Sequence, residues 1–452
     1  MSKEKQTRLE ILLNETPLGD VTRAGDKLTF TYHEDARWSP QTTLLSLSMP
    51  LTKAEHTDPT ISNFLWGLLP DNELIINAWA QREHVSPKSV FQLIGAIGED
   101  LPGAIQAGYA EQIEDFATRD GARRISKTAL AEHIQTMLRS PGRTQLTEHG
   151  GKFSLAGAQT KKALNWTNGV FYDPQGRTPS THILKPPISG LDGQVENEHF
   201  CLRLASKLKI RAARSNVVQF DDLAVIIVER FDRLRVKGQK RLPLSEAGGK
   251  VIRVHQEDMC QALGVHPSNK YQNAGGPGVA QIMNLLAGSQ RAAEDRTMFM
   301  RAIALNYVIG GTDAHAKNYS ILHLPGGVFR MAPLYDVISG LPYEDRHKDR
   351  KLAMSIGGEY RYDKIGPRHW YEQANACKLN PDATLDMVRS LIAELPDHAR
   401  DELEECRSKK MRVDTLGTLV DRIATRCKEL SSIFASAHNA TSASANALKT
   451  LD

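Results

Sequence analysis

Residues 310–320 read Gly-Gly-Thr-Asp-Ala-His-Ala-Lys-Asn-Tyr-Ser, and this stretch decides how the rest of the chain is interpreted. Asp313 and Asn318 stand with four residues between them, after a run of helical pattern that ends at Ile309. Protein kinases use this spacing in the catalytic loop, where the aspartate takes the hydroxyl proton and the asparagine binds magnesium. Both groups must lie on one short loop, because hydroxyl and metal meet at the same phosphoryl group. The stretch therefore predicts phosphoryl transfer, with Asp313 as the catalytic residue.

A second acidic group follows a predicted hairpin. Residues 319–324 and 328–332 alternate like strands and flank the turn Pro325-Gly326-Gly327. Asp336 comes 18 residues after Asn318, and a hairpin of this length returns the chain to its starting point. We therefore expect Asp336 to face Asn318 and share a magnesium ion with it. Singly, each residue is more often a turn or cap residue, but their joint spacing favours the site.

A nucleotide site also needs positive charge and backbone N–H donors, and candidates for both lie upstream in the sequence. Lys185 ends a strand-like run and precedes a predicted helix, so that Glu196 or Glu198 could pair with it. The segment 152–161 is rich in small residues that let backbone N–H groups approach phosphates, although it is not a Walker A loop. Residues 229–231 end an apolar strand, where a kinase hinge would meet adenine. Taken alone, each of these three signals is weak.

Composition limits the classes of protein to consider. The 452 residues carry a net charge of only +4, which permits contact with nucleic acid without arguing for it. The five cysteines are scattered, which disfavours a disulfide framework or a structural zinc site. No apolar run approaches a membrane span, and the first eight residues are polar. A cytoplasmic protein without a membrane partner is the expectation.

The pattern along the chain predicts an α+β fold in five parts. Alternating residues suggest short antiparallel strands up to Leu51, followed by a helix from about Ile61 to Arg82. The region 91–109 suggests a strand pair or a helix end that leads into strands. The predicted parts are a β-rich N-terminal subdomain (1–110), a linker with a connecting helix (111–150), a nucleotide-binding part (151–255), a helical catalytic part (256–437) and a flexible tail (438–452).

With these pieces in order, the sequence resembles the HipA family of bacterial toxin kinases from type II toxin–antitoxin modules. The resemblance covers nearly the whole chain and rests on several motifs in the same order. They are Leu-Trp-Gly-Leu-Leu-Pro-Asp-Asn at 65–72, Phe-Ser-Leu-Ala-Gly-Ala-Gln at 153–159, Thr-His-Ile-Leu-Lys at 181–185, Glu-Arg-Phe-Asp-Arg at 229–233, Lys-Tyr-Gln-Asn-Ala-Gly-Gly-Pro-Gly at 270–278, Thr-Asp-Ala-His-Ala-Lys-Asn at 312–318 and Leu-Tyr-Asp-Val-Ile-Ser at 334–339. The order Asp-x-His-x-x-Asn also occurs in phosphoinositide kinases, so this motif alone would not separate the two.

The resemblance implies a two-lobed, protein-kinase-like fold that uses ATP and Mg²⁺. It implies Asp313 as the catalytic base, Asn318 and Asp336 as metal ligands, and Ser154 as a site of autophosphorylation that switches the kinase off. His315 is expected to brace its loop, because no partner histidine stands at ligand spacing. The residues implied for the nucleotide site are Ala156, Gly157, Ala158, Gln159, Thr160, Lys161, Lys185, Glu229, Arg230, Phe231, His315, Ala316, Lys317, Asn318, Tyr335 and Asp336.

The resemblance also implies partners. One is a small helix-turn-helix antitoxin of HipB type, which binds operator DNA and neutralises the toxin. The other is the substrate, an aminoacyl-tRNA synthetase, most often glutamyl-tRNA synthetase, whose phosphorylation halts translation and growth. Two alternatives stay open: a phosphotransferase acting on a lipid or another small molecule, and a weakly catalytic co-repressor that acts with a DNA-binding antitoxin. Magnesium-dependent ATP turnover would separate the last from the others.

Overall fold

The computed structural model describes residues 7–119, 121–143, 152–238, 240–242, 249–343 and 350–449. The strands are β1 (Arg8–Leu13), β2 (Thr16–Ala24), β3 (Lys27–Tyr32), β4 (Glu55–Thr57), β5 (Ile105–Gly108), β6 (Gly121–Ile125), β7 (Lys162–Thr167), β8 (Val170–Gln175), β9 (His182–Lys185), β10 (Ser215–Phe220), β11 (Leu223–Glu229), β12 (Arg233–Lys237), β13 (Lys240–Leu242), β14 (Lys250–Arg253), β15 (Gln256–Asp258), β16 (Ser320–His323), β17 (Phe329–Met331), β18 (Lys351–Ile356) and β19 (Glu359–Arg361).

The helices are α1 (Glu34–Trp38), α2 (Thr60–Gly67), α3 (Glu73–Arg82), α4 (Val90–Ile97), α5 (Ala110–Thr118), α6 (Lys127–Arg139), α7 (Gln194–Lys207), α8 (Met259–Ala262), α9 (Val279–Leu286), α10 (Ala292–Val308), α11 (Pro367–Ala376), α12 (Pro381–Ser408) and α13 (Asp414–Lys449). Among the described residues, no helix is both long enough and apolar enough to cross a membrane.

The chain divides into two compact units. The first contains the described residues of Met1–Ile188, Ala213–Lys270 and Tyr319–Ala332. Its N-terminal part is an antiparallel sheet in the order β4-β3-β2-β1-β5. Every second residue of β3 is buried, as the alternating sequence predicts, and these side chains share one apolar core with α2 and α4. The predicted β-rich N-terminal subdomain is therefore present.

A second sheet of the same unit carries the predicted nucleotide-binding segments. Its order is β10-β11-β9-β7-β8-β6, with antiparallel pairing throughout. Leu130 and Ile134 of α6 pack on it against Leu184 and Ile227. Two three-stranded sheets, β13-β12-β14 and β15-β16-β17, complete the unit, and β16 with β17 forms the predicted hairpin.

The second unit is mainly helical. It contains the described residues of Ser189–Ala212, Tyr271–Asn318 and Pro333–Asp452. Helix α10 is buried around most of its circumference from Met298 to Val308, as expected of a central helix. Helices α7, α11 and α13 pack along the long α12, and β18 pairs with β19 beside them. The helical pattern predicted for residues 369–437 is confirmed.

Five predictions differ from the structure. The helix predicted from Ile61 to Arg82 is two helices, α2 and α3, because Pro70 disfavours a helical residue before it and Asn72 caps a new helix. The predicted alternative of a strand pair at 91–109 is wrong, since α4 leads into β5. The predicted linker 111–150 contains α5, the edge strand β6 and α6; its residues 144–150 lie outside the described part of the chain. Arginines on the edge strand made this region look like a loop.

The other two differences concern boundaries. The cut predicted at residue 255 does not follow the two units, because α7 belongs to the second unit and β15–β17 belong to the first. Periodicity shows that α7 has an apolar face without showing that this face packs on α12. Helix α13 extends to Lys449 and so includes most of the predicted tail, residues 438–452, whose flexibility stays a prediction.

Candidate active site

The loop after α10 holds the predicted catalytic residues close together. The backbone N–H of His315 donates to the carbonyl oxygen of Asp313 at 2.8 Å, and that of Asn318 donates to the carbonyl of His315 at 2.9 Å. Nδ2 of Asn318 donates to the same Asp313 carbonyl at 2.8 Å. These bonds close a tight turn, so both residues lie on one short loop as predicted.

The side chains of this loop divide into buried and exposed. His315, Ala316 and Lys317 are 4%, 0% and 4% exposed, whereas the Asp313 side chain is 61% exposed. A carboxylate that stands out from an otherwise buried loop can meet a hydroxyl group carried by another molecule. The burial of His315 fits the bracing role expected for it.

Asp336 lies beside this loop. The hydroxyl of Tyr335 donates to the carbonyl of Lys317 at 2.6 Å, which places the residue before Asp336 against the residue before Asn318. Asp336 has a φ of +53°, in the left-handed region that aspartate and asparagine tolerate best among side-chain-bearing residues. The structure thus brings together the two segments that the hairpin argument predicted.

The donor atoms of this pair suit a hard divalent cation. Asn318 uses its amide N–H for the turn, which leaves its amide oxygen as the acceptor, and Asp336 supplies carboxylate oxygens. Magnesium in phosphoryl-transfer sites typically takes one or two protein carboxylate or amide oxygens together with substrate phosphates. No group of three or more His, Cys, Asp or Glu side chains with metal-site geometry occurs among the described residues. The pair fits a metal that also binds phosphates better than a self-sufficient protein site.

Tyr271 is a site residue that sequence reasoning did not single out. Its hydroxyl donates to Oδ1 of Asp313 at 2.5 Å, and its ring packs edge-on against His315 with the centroids 5.0 Å apart.

Asn197 and Ser339 are two further site residues that sequence reasoning did not single out. The Asn197 amide makes two hydrogen bonds to the Ser339 backbone, of 2.9 and 3.1 Å, and the Ser339 hydroxyl donates to Ile309 at the end of α10. These bonds fix the segment after Asp336 to the helix before Asp313, and only their spatial proximity could have revealed them.

In the first unit, residues 153–161 form the loop predicted to bind phosphates. Ser154 is fully buried, its hydroxyl donates to the carbonyl of Leu68 at 2.7 Å, and its N–H donates to the backbone carbonyl of Asp100 at 3.1 Å. Gly157 has a φ of +104°, a conformation that favours glycine. Further along, Nζ of Lys161 donates to Ala156 at 2.5 Å, and Nε2 of Gln159 donates to Pro186 at 2.7 Å. One of these bonds joins the two ends of the segment 156–161, which includes Thr160, and the other ties it to the residue after β9.

Two neighbouring lysines have different surroundings. Lys185 ends β9, as predicted, and is 5% exposed. Lys162 makes a buried ion pair of 2.7 Å with Asp173 on the adjacent strand and therefore serves the sheet. The pairing of Lys185 with Glu196 or Glu198 stays a prediction.

The predicted adenine edge, residues 229–231, is only partly as expected. Glu229 is half-buried at the end of β11; burial raises the pKa of its carboxyl, and Arg214 opposes this effect. The side chain of Arg230 is 3% exposed and enclosed by acidic partners, so its guanidinium group is engaged within the protein. Phe231 lines a cavity of about 690 Å³. The predicted contact of Arg230 with a nucleotide stays a prediction and would involve its backbone.

Arg230 and its acidic partners belong to a larger buried ion cluster. This cluster is defined here as Asp100, Arg230, Asp232, Arg233 and Arg253. Asp100 pairs with all three arginines at 3.0–3.3 Å, and Asp232 pairs with two of them at 2.8 and 3.1 Å. Burial alone would raise the pKa of Asp100, but the three guanidinium groups hold it well below its ordinary value. The cluster requires every member, since removing one leaves a buried charge without its counter-charge.

Comparison with known proteins follows the same division of the chain. The model of the HipA N-terminal domain matches residues 9–108, and that of the HipA-like C-terminal domain matches residues 153–399. A putative kinase of Sinorhizobium fredii, Y4mE, is 33% identical over 412 residues, which cover 90% of this chain and 94% of the relative. The serine/threonine-protein kinase toxin HipA of Shewanella oneidensis is 30% identical over 382 residues, covering 81% and 82%.

A solved structure agrees. A chain of the Shewanella oneidensis complex of HipA, HipB and operator DNA superimposes with a TM-score of 0.78 at 26% identity, covering 95% of this chain and 98% of that one. The kinase-like α+β fold expected from the resemblance is thereby confirmed. The chain belongs to the HipA family and is an enzyme of the serine/threonine protein kinase class.

Proposed function

We propose that this protein is the kinase toxin of a toxin–antitoxin pair and that it transfers the γ-phosphoryl group of ATP to a serine of a protein. The observation that carries the proposal is the loop in which Asp313 stands exposed beside the oxygen donors Asn318 and Asp336. A 61% exposed carboxylate favours an acceptor hydroxyl on another macromolecule over a small molecule enclosed in a pocket.

Each residue then has a defined task. Asp313 accepts the proton of the serine hydroxyl as the new O–P bond forms and the bond between the γ-phosphorus and the β–γ bridging oxygen breaks, which releases ADP. Asn318 and Asp336 would hold Mg²⁺, which when bound neutralises charge on the phosphates. The backbone N–H groups of residues 156–161 and the ammonium of Lys185 would bind the phosphates, with residues 229–231 at the adenine. His315, Ala316, Lys317 and Tyr335 would complete the nucleotide site.

Ser154 is proposed as a site of autophosphorylation that switches the enzyme off. In the structure its hydroxyl is buried and bonded to Leu68, so modification requires the loop to leave this position. A phosphoserine adds close to two negative charges at neutral pH, which cannot return to a buried position beside nucleotide phosphates. The modified loop would therefore stay displaced.

The partners are proposed by similarity. The superimposed Shewanella oneidensis structure contains HipB and operator DNA, and we propose a HipB-type antitoxin, with operator DNA bound through it, for this chain as well. The proposed substrate is an aminoacyl-tRNA synthetase, with glutamyl-tRNA synthetase as the first candidate, as the family resemblance implies.

The test uses intact-mass and peptide mapping of phosphatase-treated protein incubated with Mg-ATP, with and without glutamyl-tRNA synthetase. The parent should gain one phosphate on Ser154 and add one to a synthetase serine, whereas Asp313→Ala should do neither. Phosphate on Ser154 without transfer to the synthetase would point to a different protein substrate. Growth arrest by Asp313→Ala as strong as by the parent would contradict the kinase basis of toxicity.

A further inference from the structure

The segment that separates α2 from α3 touches the phosphate loop at three consecutive residues. Pro70 forms a parallel β-bridge with Gly157, and the N–H of Asp71 donates to the carbonyl of Gly157 at 3.2 Å. Nδ2 of Asn72 donates to the carbonyl of Ala158 at 3.2 Å. Pro70, Asp71 and Asn72 are called the clamp segment below. It belongs to the N-terminal domain, outside the part of the chain that carries the predicted kinase residues.

The clamp segment is itself fixed at each of its residues. The pyrrolidine ring restricts φ at Pro70. The carboxylate of Asp71 pairs with Nζ of Lys270 at 2.7 Å, with the two side chains only 13% and 15% exposed. The Asn72 amide has two uses, because its Oδ1 accepts from Leu74 as the N-cap of α3 while its Nδ2 holds the loop. Two donors held in fixed positions, the Asp71 N–H and the Asn72 Nδ2, therefore bind two successive carbonyls of the loop.

The direction of these carbonyls decides where the neighbouring donors point. In a trans peptide the N–H of one residue is antiparallel to the carbonyl of the residue before it. Because the carbonyls of Gly157 and Ala158 both point to the clamp segment, the N–H groups of Ala158 and Gln159 both point away from it. Two successive N–H groups directed to one side form the kind of concave donor pair that binds phosphate oxygens.

We infer that the clamp segment is a positioning element for nucleotide binding: Asp71, held by Lys270, and Asn72 orient the N–H groups of Ala158 and Gln159 toward the phosphates. The N-terminal domain thus shapes the phosphate-binding loop. The inference rests on the proposed function for its kinetic test and on the loop contacts alone for its structural test.

The sharpest variant is Asn72→Ser. Serine keeps the N-cap acceptor of α3, since serine and asparagine cap equally well, but it lacks the N–H that reaches Ala158. We expect KM for ATP to rise about fivefold, as for the loss of one hydrogen bond, with kcat within twofold of the parent. Lys270→Met should raise KM by about tenfold or more, because it removes the ammonium group that pairs with the largely buried carboxylate of Asp71. Reversing the pair, with Asp71→Lys and Lys270→Asp in one chain, should restore most of the affinity.

Amide hydrogen exchange gives a readout that needs no turnover. Peptides covering 153–161 should exchange at least about fivefold faster in Asn72→Ser, while peptides of β7 and β9 and the thermal midpoint stay as in the parent. The control is Glu294→Gln, which breaks an ion pair whose side chains are 59% and 60% exposed and should change nothing.

The outcomes separate this inference from the proposed function. Faster loop exchange in Asn72→Ser, together with a parent that shows no phosphotransfer, would support the clamp and refute the kinase proposal. Unchanged loop exchange and unchanged KM in Asn72→Ser would overturn the clamp in an active enzyme. Faster exchange throughout the first unit with a lowered thermal midpoint would assign these residues to general stability and would also overturn it.

Discussion

The hydroxyl of Tyr271 donates a hydrogen bond of 2.5 Å to Oδ1 of Asp313. Asp313 is exposed, so its carboxylate would otherwise sample several rotamers in water. The tyrosine ring is in turn held edge-on by the buried imidazole of His315. The three residues form a chain in which a buried ring fixes a tyrosine and the tyrosine fixes the carboxylate that we propose accepts the serine proton.

Removing this hydroxyl should slow phosphoryl transfer. Tyr271→Phe keeps the ring against His315 but deletes a hydrogen bond to a charged group, worth about 1.5–3 kcal/mol. We expect kcat to fall about tenfold or more, with KM for ATP within twofold, because the lost contact orients the carboxylate and does not hold nucleotide. Steady-state kinetics on the protein substrate measures both. Tyr371→Phe, at a 48% exposed tyrosine of α11, is the matched control. An unchanged kcat in Tyr271→Phe would show that Asp313 does not depend on this bond.

Substitutions at Asp336 should separate charge from backbone conformation. At its φ of +53°, asparagine is tolerated, whereas alanine adds about 1 kcal/mol of strain. Asp336→Asn should therefore keep the thermal midpoint while lowering kcat about 100-fold, as for a lost charge-stabilising group. Asp336→Ala should lose both activity and stability. Initial rates over a magnesium titration, with a thermal melt of each variant, test this; full activity of Asp336→Asn at ordinary magnesium would exclude Asp336 as a ligand.

The buried ion cluster should make Asp100 critical for stability. Asp100→Ala leaves three arginines with one carboxylate, and breaking a buried pair in this way costs about 3–5 kcal/mol. We expect a clearly lower thermal midpoint and a lower yield of folded protein. Asp222→Ala, at an exposed position before β11, should leave the midpoint unchanged. Equal midpoints for the two variants would mean that the arginines are satisfied without Asp100.

Buried histidines should make the fold sensitive to mild acid. Burial lowers the pKa of His199 to about 4, assisted by Lys409 and Arg203, and burial lowers that of His182 to about 4. Below about pH 6.5 the unfolded chain binds protons that the folded chain refuses, so stability falls as the pH drops from about 6.5 toward 4. Each histidine should cost about 1 kcal/mol by pH 5.5. Thermal midpoints between pH 7.5 and 5.0 should fall less in His199→Gln than in the parent. His84→Asn, at an exposed left-handed position, should follow the parent.

Local pattern was sufficient wherever one short segment carried the whole signal. The strand Leu223–Glu229 and the hairpin around Pro325-Gly326-Gly327 have the predicted bounds within a residue or so, because turn chemistry and apolar alternation are local. The same holds for Asp313 and Asn318, whose spacing within one loop fixes their geometry.

Contacts between residues that are distant in the sequence could not be predicted from local pattern. Tyr271 lies 42 residues before Asp313, and although it stands in the motif at 270–278, nothing in that motif indicates that its hydroxyl bonds to Asp313. Arg230 looked like an edge residue because it follows an apolar strand, yet its partner Asp100 lies 130 residues earlier. Charge in a sequence is ordinarily a sign of solvent exposure, so a buried cluster of five charged residues misleads any argument based on composition.

The buried cluster also affects whether this protein can be divided into separately folded fragments. Asp100 lies in the region matched by the N-terminal domain model, whereas Arg230, Arg233 and Arg253 lie in the region matched by the C-terminal one. Cutting the chain between residues 108 and 153 would leave guanidinium groups without Asp100 in one fragment and expose apolar surface in the other. Gene fragments encoding either region alone are poor starting points for expression or for domain exchange with relatives. The two regions are therefore best expressed and exchanged together.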